Sequence, residues 1–212
     1  MVNPHEDNEQ LDHAHEWWKK NGSAVIGGIV LGLIGVLGIN YWQTYQTNRA
    51  EAASTLFDQM SQAFRDDDQE NAVLTGEDIV ANYSSTPYSA SASLYLAKIK
   101  VEDKDYAGAK QHLQWVVDNA KSPSMMHTAT VRLAYLALAE NQPEQVLTLL
   151  ENANASAFEP QYQELLGDAY NALGRNGEAA TAYDKALKGL TDGSPYASIL
   201  NQKINKANAA AE

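Results

Sequence analysis

The run from Gly22 to Ile39 constrains this chain more than any other stretch. It reads GSAVIGGIVLGLIGVLGI, with Ser23 its only polar side chain and no charge. Wound as a helix it covers about 27 Å, close to the hydrocarbon thickness of a bilayer. Lipid offers no partner to a free backbone N–H, so a segment of this kind has to be helical throughout. Everything after it is expected to be a domain tethered to a membrane.

The flanks set the expected orientation. Trp17, Trp18, Lys19 and Lys20 precede the run; Tyr41, Trp42 and Tyr45 follow it, then a single cation, Arg49. Aromatic rings at both ends match the interfacial belts of a spanning helix, and the lysine pair keeps the short N-terminus in the cytoplasm. The acidic residues of that tail (Glu6, Asp7, Glu9, Asp12, Glu16) weigh little, because the rule counts cations. In a Gram-negative cell the remainder then lies in the periplasm, on an inner-membrane anchor. A cleaved signal peptide fits less well: the apolar run is longer than a signal core and ends in Gly38-Ile39-Asn40-Tyr41, not in a small-x-small site.

The chain has no cysteine, which rules out a lipoprotein anchor, disulfides and thiolate metal sites. It carries 27 acidic against 15 basic residues, a net charge of −12. Such a surface cannot neutralise phosphates, so nucleic acid is excluded as a partner class, and anionic headgroups repel it.

Beyond the span, Ala53, Leu56, Phe57, Met60, Ala63 and Phe64 fall at the 3-and-4 spacing of an amphipathic helix. With no Gly or Pro between, the spacing predicts one long helix from Trp17 to Phe64, stopped by Asp66-Asp67-Asp68, whose charges oppose the macrodipole. A short helix over Asn71–Tyr83 and a loop over Ser84–Pro87 are predicted next. From Tyr88 the chain repeats itself. The clearest copy has Leu166-Gly167-x-x-Tyr170, a turn at Gly174, then Ala179, Tyr183 and Ala186. The middle copy has Leu133-Ala134, a turn at Asn141-Gln142-Pro143, then Val146, Leu150 and Ala153. The first has Leu96-Ala97, a turn near Asp103, then Ala109, Leu113 and Val116. The offsets are 37 and 33 residues, the difference fitting a loop at Lys121–Ser124.

Repeats of this length are helix-turn-helix units stacked in a solenoid, with small residues where helices cross. Leu-Gly-x-x-Tyr followed by Ala-x-x-x-Tyr-x-x-Ala resembles a tetratricopeptide repeat. A helix from Pro195 to Asn208 is expected to cap the stack with Tyr196, Ile199, Leu200 and Ile204. The expected fold class is all-α: one N-terminal transmembrane helix followed by a tetratricopeptide-like helical solenoid. The expected divisions are a cytoplasmic tail (1–20), a signal anchor (21–42), a helical stalk with the first helices (43–87), and repeats with their cap (88–212).

Over its length the chain resembles the YfgM-like proteins, ancillary subunits of the bacterial Sec translocon. The resemblance rests on Asn21-Gly22, the glycine-rich span, Tyr41-Trp42, the helix from Ala50 to Phe64, the degenerate repeats and Gln202-Lys203-Ile204-Asn205. It implies a single-span inner-membrane protein with a periplasmic tetratricopeptide-like domain. It also implies association with the SecYEG channel and with PpiD, a membrane-anchored periplasmic chaperone, in helping exported proteins fold. The chain departs from the pattern in carrying three histidines in its N-terminal tail.

Candidate sites are two. In the span, Ala24, Gly28 and Gly32 recur every four residues and Gly35 continues their face, a small-residue stripe on which another membrane helix, a second copy included, could pack closely. In the solenoid, the first helices of the repeats line a groove suited to a peptide or partner helix, and Tyr95, Lys98, Arg132, Tyr135 and Gln163 are the candidate lining. Tyr170, at a similar position, is expected to pack between repeats.

No chemistry is expected. His13, His15 and Glu16, with His5 nearby, lack a fixed second cluster and read as a solvated tail. His112 and His127 sit alone in amphipathic helices, as surface or packed residues. No nucleophile elbow, phosphate loop or HExxH is present, and the acidic residues show no sign of convergence. No cofactor is called for. The expected function is a protein-interaction scaffold at the translocon that assists periplasmic chaperones. The alternative is an envelope stress-regulatory or assembly scaffold whose tail signals across the membrane.

Overall fold

The computed structural model describes the backbone of residues 4–151, 153 and 155–211, and the side chains of those from Trp17 on, Ser156 excepted. Among the described residues the regular structure is wholly helical. Helix α1 runs over Pro4–Arg65, α2 over Gln69–Asn82, α3 over Pro87–Glu102, α4 over Tyr106–Asn119 and α5 over Pro123–Ala139. Then come α6 (Pro143–Leu150), a 3-10 turn (Ser156–Phe158), α7 (Glu159–Ala172), α8 (Asn176–Lys188) and α9 (Ala197–Ala211). The chain divides into two compact units, Met1–Glu51 and Ala52–Glu212.

In the first unit, α1 is helical well upstream of Trp17, its expected start. Its apolar stretch is open on every side: Ile29, Leu31, Ile34, Leu37 and Ile39 are each more than half exposed. Soluble monomers do not carry a continuous apolar surface of this size, so it has to be covered by lipid or by another helix. Of the described helices, this one alone is long and apolar enough to cross a membrane. The tail histidines His5, His13 and His15 have side chains outside those described.

The second unit is a stack in which, from α2 on, each helix packs on the next. Its repeat is written most plainly in the backbone. Asp67, Lys104, Asn141 and Gly174 all adopt left-handed conformations, with φ of 60°, 62°, 59° and 70°. Each ends the first helix of a hairpin, and the residue after it donates its N–H to the carbonyl five back: Asp68 to Ala63 (2.9 Å), Asp105 to Lys100 (2.8 Å), Gln142 to Ala137 (2.8 Å) and Arg175 to Tyr170 (2.9 Å). These bonds satisfy carbonyls that the helix end leaves orphaned. Five residues past each left-handed position stand Ala72, Ala109, Val146 and Ala179, all fully buried. The pattern therefore reaches one hairpin further upstream than the sequence reading places it: the end of α1 with α2 forms a repeat of the same kind.

Three of the four second helices, α2, α4 and α6, start on a side-chain cap or on proline. Asp68 accepts from the Asn71 N–H and Asp105 from the Gly108 N–H, while Pro143 opens α6. Hydrogen bonds from Asn71 hold the Asp68 carboxyl below its usual range, and the Gly108 N–H does the same for Asp105. Where the two helices of a hairpin cross, a small residue faces a large one. Ala97 and Leu113 share one core, Ala134 and Leu150 another. Gly167 lies against the ring of Tyr183. The first hairpin keeps the rule with the sizes exchanged, large Met60 facing Gly76. Ala153, assigned by its spacing to the second helix of the middle repeat, lies beyond the end of α6 yet still packs on the core.

Candidate functional site

In the first unit, the stripe of Ala24, Gly28, Gly32 and Gly35 is unoccupied by the chain itself. A Cβ built at any of these three glycines would meet nothing within 4 Å. Gly22 differs, because the Trp18 indole folds over it and a Cβ there would lie 3.2 Å from the ring.

In the second unit, α3, α4 and α5 line an open-sided cavity of about 480 Å³. Its floor and walls are mostly apolar, from Ala97, Val101, Leu113 and Leu136, and Lys98, Glu102, Arg132 and Tyr135 also line it. The structure thus brings together three of the five residues proposed for a groove. Lys98 and Tyr135 occupy equivalent repeat positions, as do Tyr95 and Arg132, so successive first helices present the same face to the same side. Tyr135 is 51% exposed. Burial of its other half, then the charges of Glu164 and Asp168, push its phenol above the ordinary tyrosine value. Lys98 extends 4.6 Å above the Phe64 ring and 3.7 Å from the Glu102 carboxylate. The Arg132 guanidinium donates to the Leu94 carbonyl at 3.4 Å.

Tyr95 and Gln163 stand elsewhere. The Tyr95 ring meets Phe57 and Phe64 edge-on, at 5.8 and 5.6 Å between centroids, in a cluster that also holds Tyr88 against Phe57. It helps fix α3 on the last turns of α1. Gln163 lines a smaller cavity of about 290 Å³ with Tyr170, Glu151 and Lys185, and its amide donates to Glu159 at 2.8 Å. Tyr170 packs between the last two cores, its hydroxyl donating to Glu151 at 2.7 Å.

The expectation that no two acidic residues converge is corrected by α7. Glu164 and Asp168, one turn apart, both accept from the Lys203 ammonium of α9, at 2.7 Å each. Tyr183 donates to Asp168 (2.7 Å) and Tyr196 to Glu164 (2.7 Å). Burial, then these bonds to carboxylates, push both phenols far above their ordinary value. Burial works to depress the Lys203 ammonium, but its bonds to Asp168 and Glu164 outweigh this and hold it above the usual lysine range. Glu164 is only 6% exposed. Asp168 occupies the repeat position of Lys98 and Tyr135, a register that would have located the cluster in the sequence. The network clamps α9 across the end of the stack.

The two isolated histidines are packed. His127 lies on the Phe158 ring, centroids 5.1 Å apart, with Nδ1 2.8 Å from the Tyr162 hydroxyl. Ser93 donates to the His112 carbonyl at 3.0 Å, and burial holds the His112 ring below its ordinary value. Among the described residues no three potential metal ligands converge.

The family model described as a tetratricopeptide repeat-like domain matches residues 15–209. Full-length relatives are similar as well. A Haemophilus influenzae protein named ancillary SecYEG translocon subunit is 26% identical over 181 residues, covering 85% of this chain and 88% of the relative. Proteins of the same name from Neisseria gonorrhoeae and Escherichia coli are 25% and 24% identical, each over 94% of this chain and 96% and 95% of their own length. No solved structure matches.

Proposed function

The chain belongs to the tetratricopeptide repeat-like domain family, and on that premise we propose that it is a membrane-anchored protein-interaction scaffold working beside the Sec translocon. The observation that carries this reading is the extent of the similarity. Relatives named as ancillary translocon subunits align over 85–94% of the chain, and the family model covers the apolar helix as well as the repeats. Anchor and solenoid are thus shared as a unit, as a scaffold requires.

In this reading residues 1–20 lie in the cytoplasm, residues 21–42 span the inner membrane and the remainder is periplasmic, as the Lys19–Lys20 pair favours. The stripe of Ala24, Gly28, Gly32 and Gly35 packs on a membrane helix of the channel or of a PpiD-like chaperone. The inner face around Lys98, Arg132 and Tyr135 takes a segment of a partner engaged with exported proteins. A solenoid suits this task, because its groove offers contact over several repeats without chemistry of its own.

Gentle detergent extraction of the tagged protein, beside a Gly28→Ile/Gly32→Ile variant, tests the reading. Channel subunits and a periplasmic chaperone are expected with the wild type and depleted with the variant. Recovery of the wild type with neither would refute the translocon assignment. Recovery undiminished by the double substitution would remove the span as the contact.

A further inference from the structure

We infer that the cavity between α3, α4 and α5 holds an apolar side chain of a partner segment whose neighbouring residue is acidic, with that carboxylate seated on Arg132 and Lys98. The inference rests on the scaffold reading and adds the chemistry of what is held.

The cavity's volume of about 480 Å³ gives room for large apolar anchors, and Ala97, Val101, Leu113 and Leu136 offer them no polar partner. The rim is different. Among the described residues, Arg132 spends one donor on a neutral carbonyl and meets no carboxylate, which leaves most of a planar five-donor fork to face whatever enters. Lys98 pairs with Glu102 at 3.7 Å, but both side chains are about half exposed, and such a pair is worth little and is readily exchanged. A carboxylate between the two cations would gain a charge-assisted, fork-shaped contact at the edge of a low-dielectric cavity.

Two objections can be weighed. The chain's net charge of −12 repels an acidic segment at a distance. At physiological salt, however, charges beyond about 8 Å are screened, so the local charges decide the contact, where Lys98 and Arg132 outnumber the single carboxylate of Glu102, while the net charge slows the approach. The segment could also lie one repeat along. There Tyr135 and the buried Leu165 stand where Lys98 and Arg132 do. Its acid finds no cation in either place, so the charges of this face disfavour that shift.

The test uses the full chain in nanodiscs of zwitterionic lipid and two short fluorescein-labelled peptides, acetylated and amidated so that neither terminus is charged. Both contain Leu-Phe; one precedes it with Asp-Glu, the other with Lys-Lys. Fluorescence polarisation is expected to show the acidic peptide binding about tenfold tighter or better, with the margin shrinking as salt is raised. Arg132→Gln with Lys98→Gln should level the two peptides, and Val101→Trp, which fills the cavity, should weaken both. Helix content and melting temperature report whether each variant is folded. Equal binding, preference for the basic peptide, no binding by either, or a preference surviving the double substitution would each overturn the inference. Co-purification of the channel is read separately. Channel recovered without an acidic preference sinks only this inference; an acidic preference without the channel sinks only the translocon reading.

Discussion

Gly167 of α7 lies so close under the Tyr183 ring of α8 that a Cβ on it would stand 2.4 Å from Cε1. The ring cannot yield, because Tyr183 is buried and its hydroxyl is bound to Asp168 at 2.7 Å. Gly167→Ala is therefore expected to cost stability. Overpacking of about 1–3 kcal/mol outweighs the ~1 kcal/mol that alanine gains over glycine inside a helix. At the exchanged pair the balance shifts. A Cβ on Gly76 would lie 2.9 Å from Cε of Met60, the far end of a flexible side chain, and 3.0 Å from Leu96 Cδ2. Gly76→Ala should come out close to neutral. Urea unfolding of the full chain in detergent, followed by helix circular dichroism, compares the two. A larger loss at Gly76 than at Gly167 would contradict the packing described.

The Lys203 ammonium is the only cation recorded between Glu164 and Asp168 among the described residues. Lys203→Met keeps much of the stem and leaves a buried carboxylate unpaired. Fully buried pairs lose about 3–5 kcal/mol when broken. Lys203 is 30% exposed at its side chain, so about 2–3 kcal/mol is expected here. Adding Glu164→Gln and Asp168→Asn should recover much of the loss, because the neutral amides no longer need a cation. A triple variant no better than the single one would show that packing of the lysine stem, and not charge, holds α9. The sign in pH follows from an ammonium held above its ordinary value of 10.5. The contribution is complete below that value and is lost only as pH rises through the higher folded one.

The span and the later hairpins were legible because each has a strong local signal. An uncharged apolar run of bilayer length has one stable conformation, and Leu166-Gly167 with Tyr183 carries the size pattern of crossing helices in the order the motif expects. The first hairpin was not legible for the converse reason. Met60 and Gly76 fill the same space with the sizes exchanged, so a motif written in residue names misses what the backbone at Asp67 repeats. Lys98, Arg132 and Tyr135 came to one rim because the repeat offset fixes their face. Tyr95 shares that offset, but the aromatic rings of α1 hold it, and nothing in its own repeat announces Phe57 and Phe64. The Glu164–Asp168–Lys203 network joins residues 35 and 39 apart in sequence, and only the register Lys98, Tyr135, Asp168 pointed towards it.

The left-handed turns predict a stabilising change. Lys104 adopts φ 62° and Asn141 φ 59°. A side chain with a Cβ loses about 1–2 kcal/mol in this conformation, asparagine less than most, and glycine almost nothing. Lys104→Gly should raise the melting temperature by a few degrees, since about 1 kcal/mol corresponds to roughly 2–8 °C in domains of this class. Asn141→Gly should raise it less. Scanning calorimetry of the two variants checks the order. A fall at Lys104 would mean that its side chain contributes contacts worth more than the relieved strain.

His112 gives the stack a dependence on acid whose sign can be worked out. Burial, chiefly, favours the neutral ring. The carboxylates of Glu77 and Asp105 oppose this, and the Lys100 ammonium assists it. The folded value therefore lies below the ordinary 6.5, and the unfolded chain binds the proton more readily. Stability contributed by the neutral ring is complete above that ordinary value and is lost as pH falls through the folded one. Carboxylates titrating elsewhere add their own slope, so the variant supplies the comparison. His112→Asn leaves the backbone carbonyl that Ser93 uses, and removes the titrating ring. Between about pH 7.5 and pH 5, its melting temperature should fall less than that of the wild type. Equal falls in both would mean that the ring takes its proton in the folded stack as easily as in the unfolded chain, and that the space around it is wetter than its packing against α3 implies.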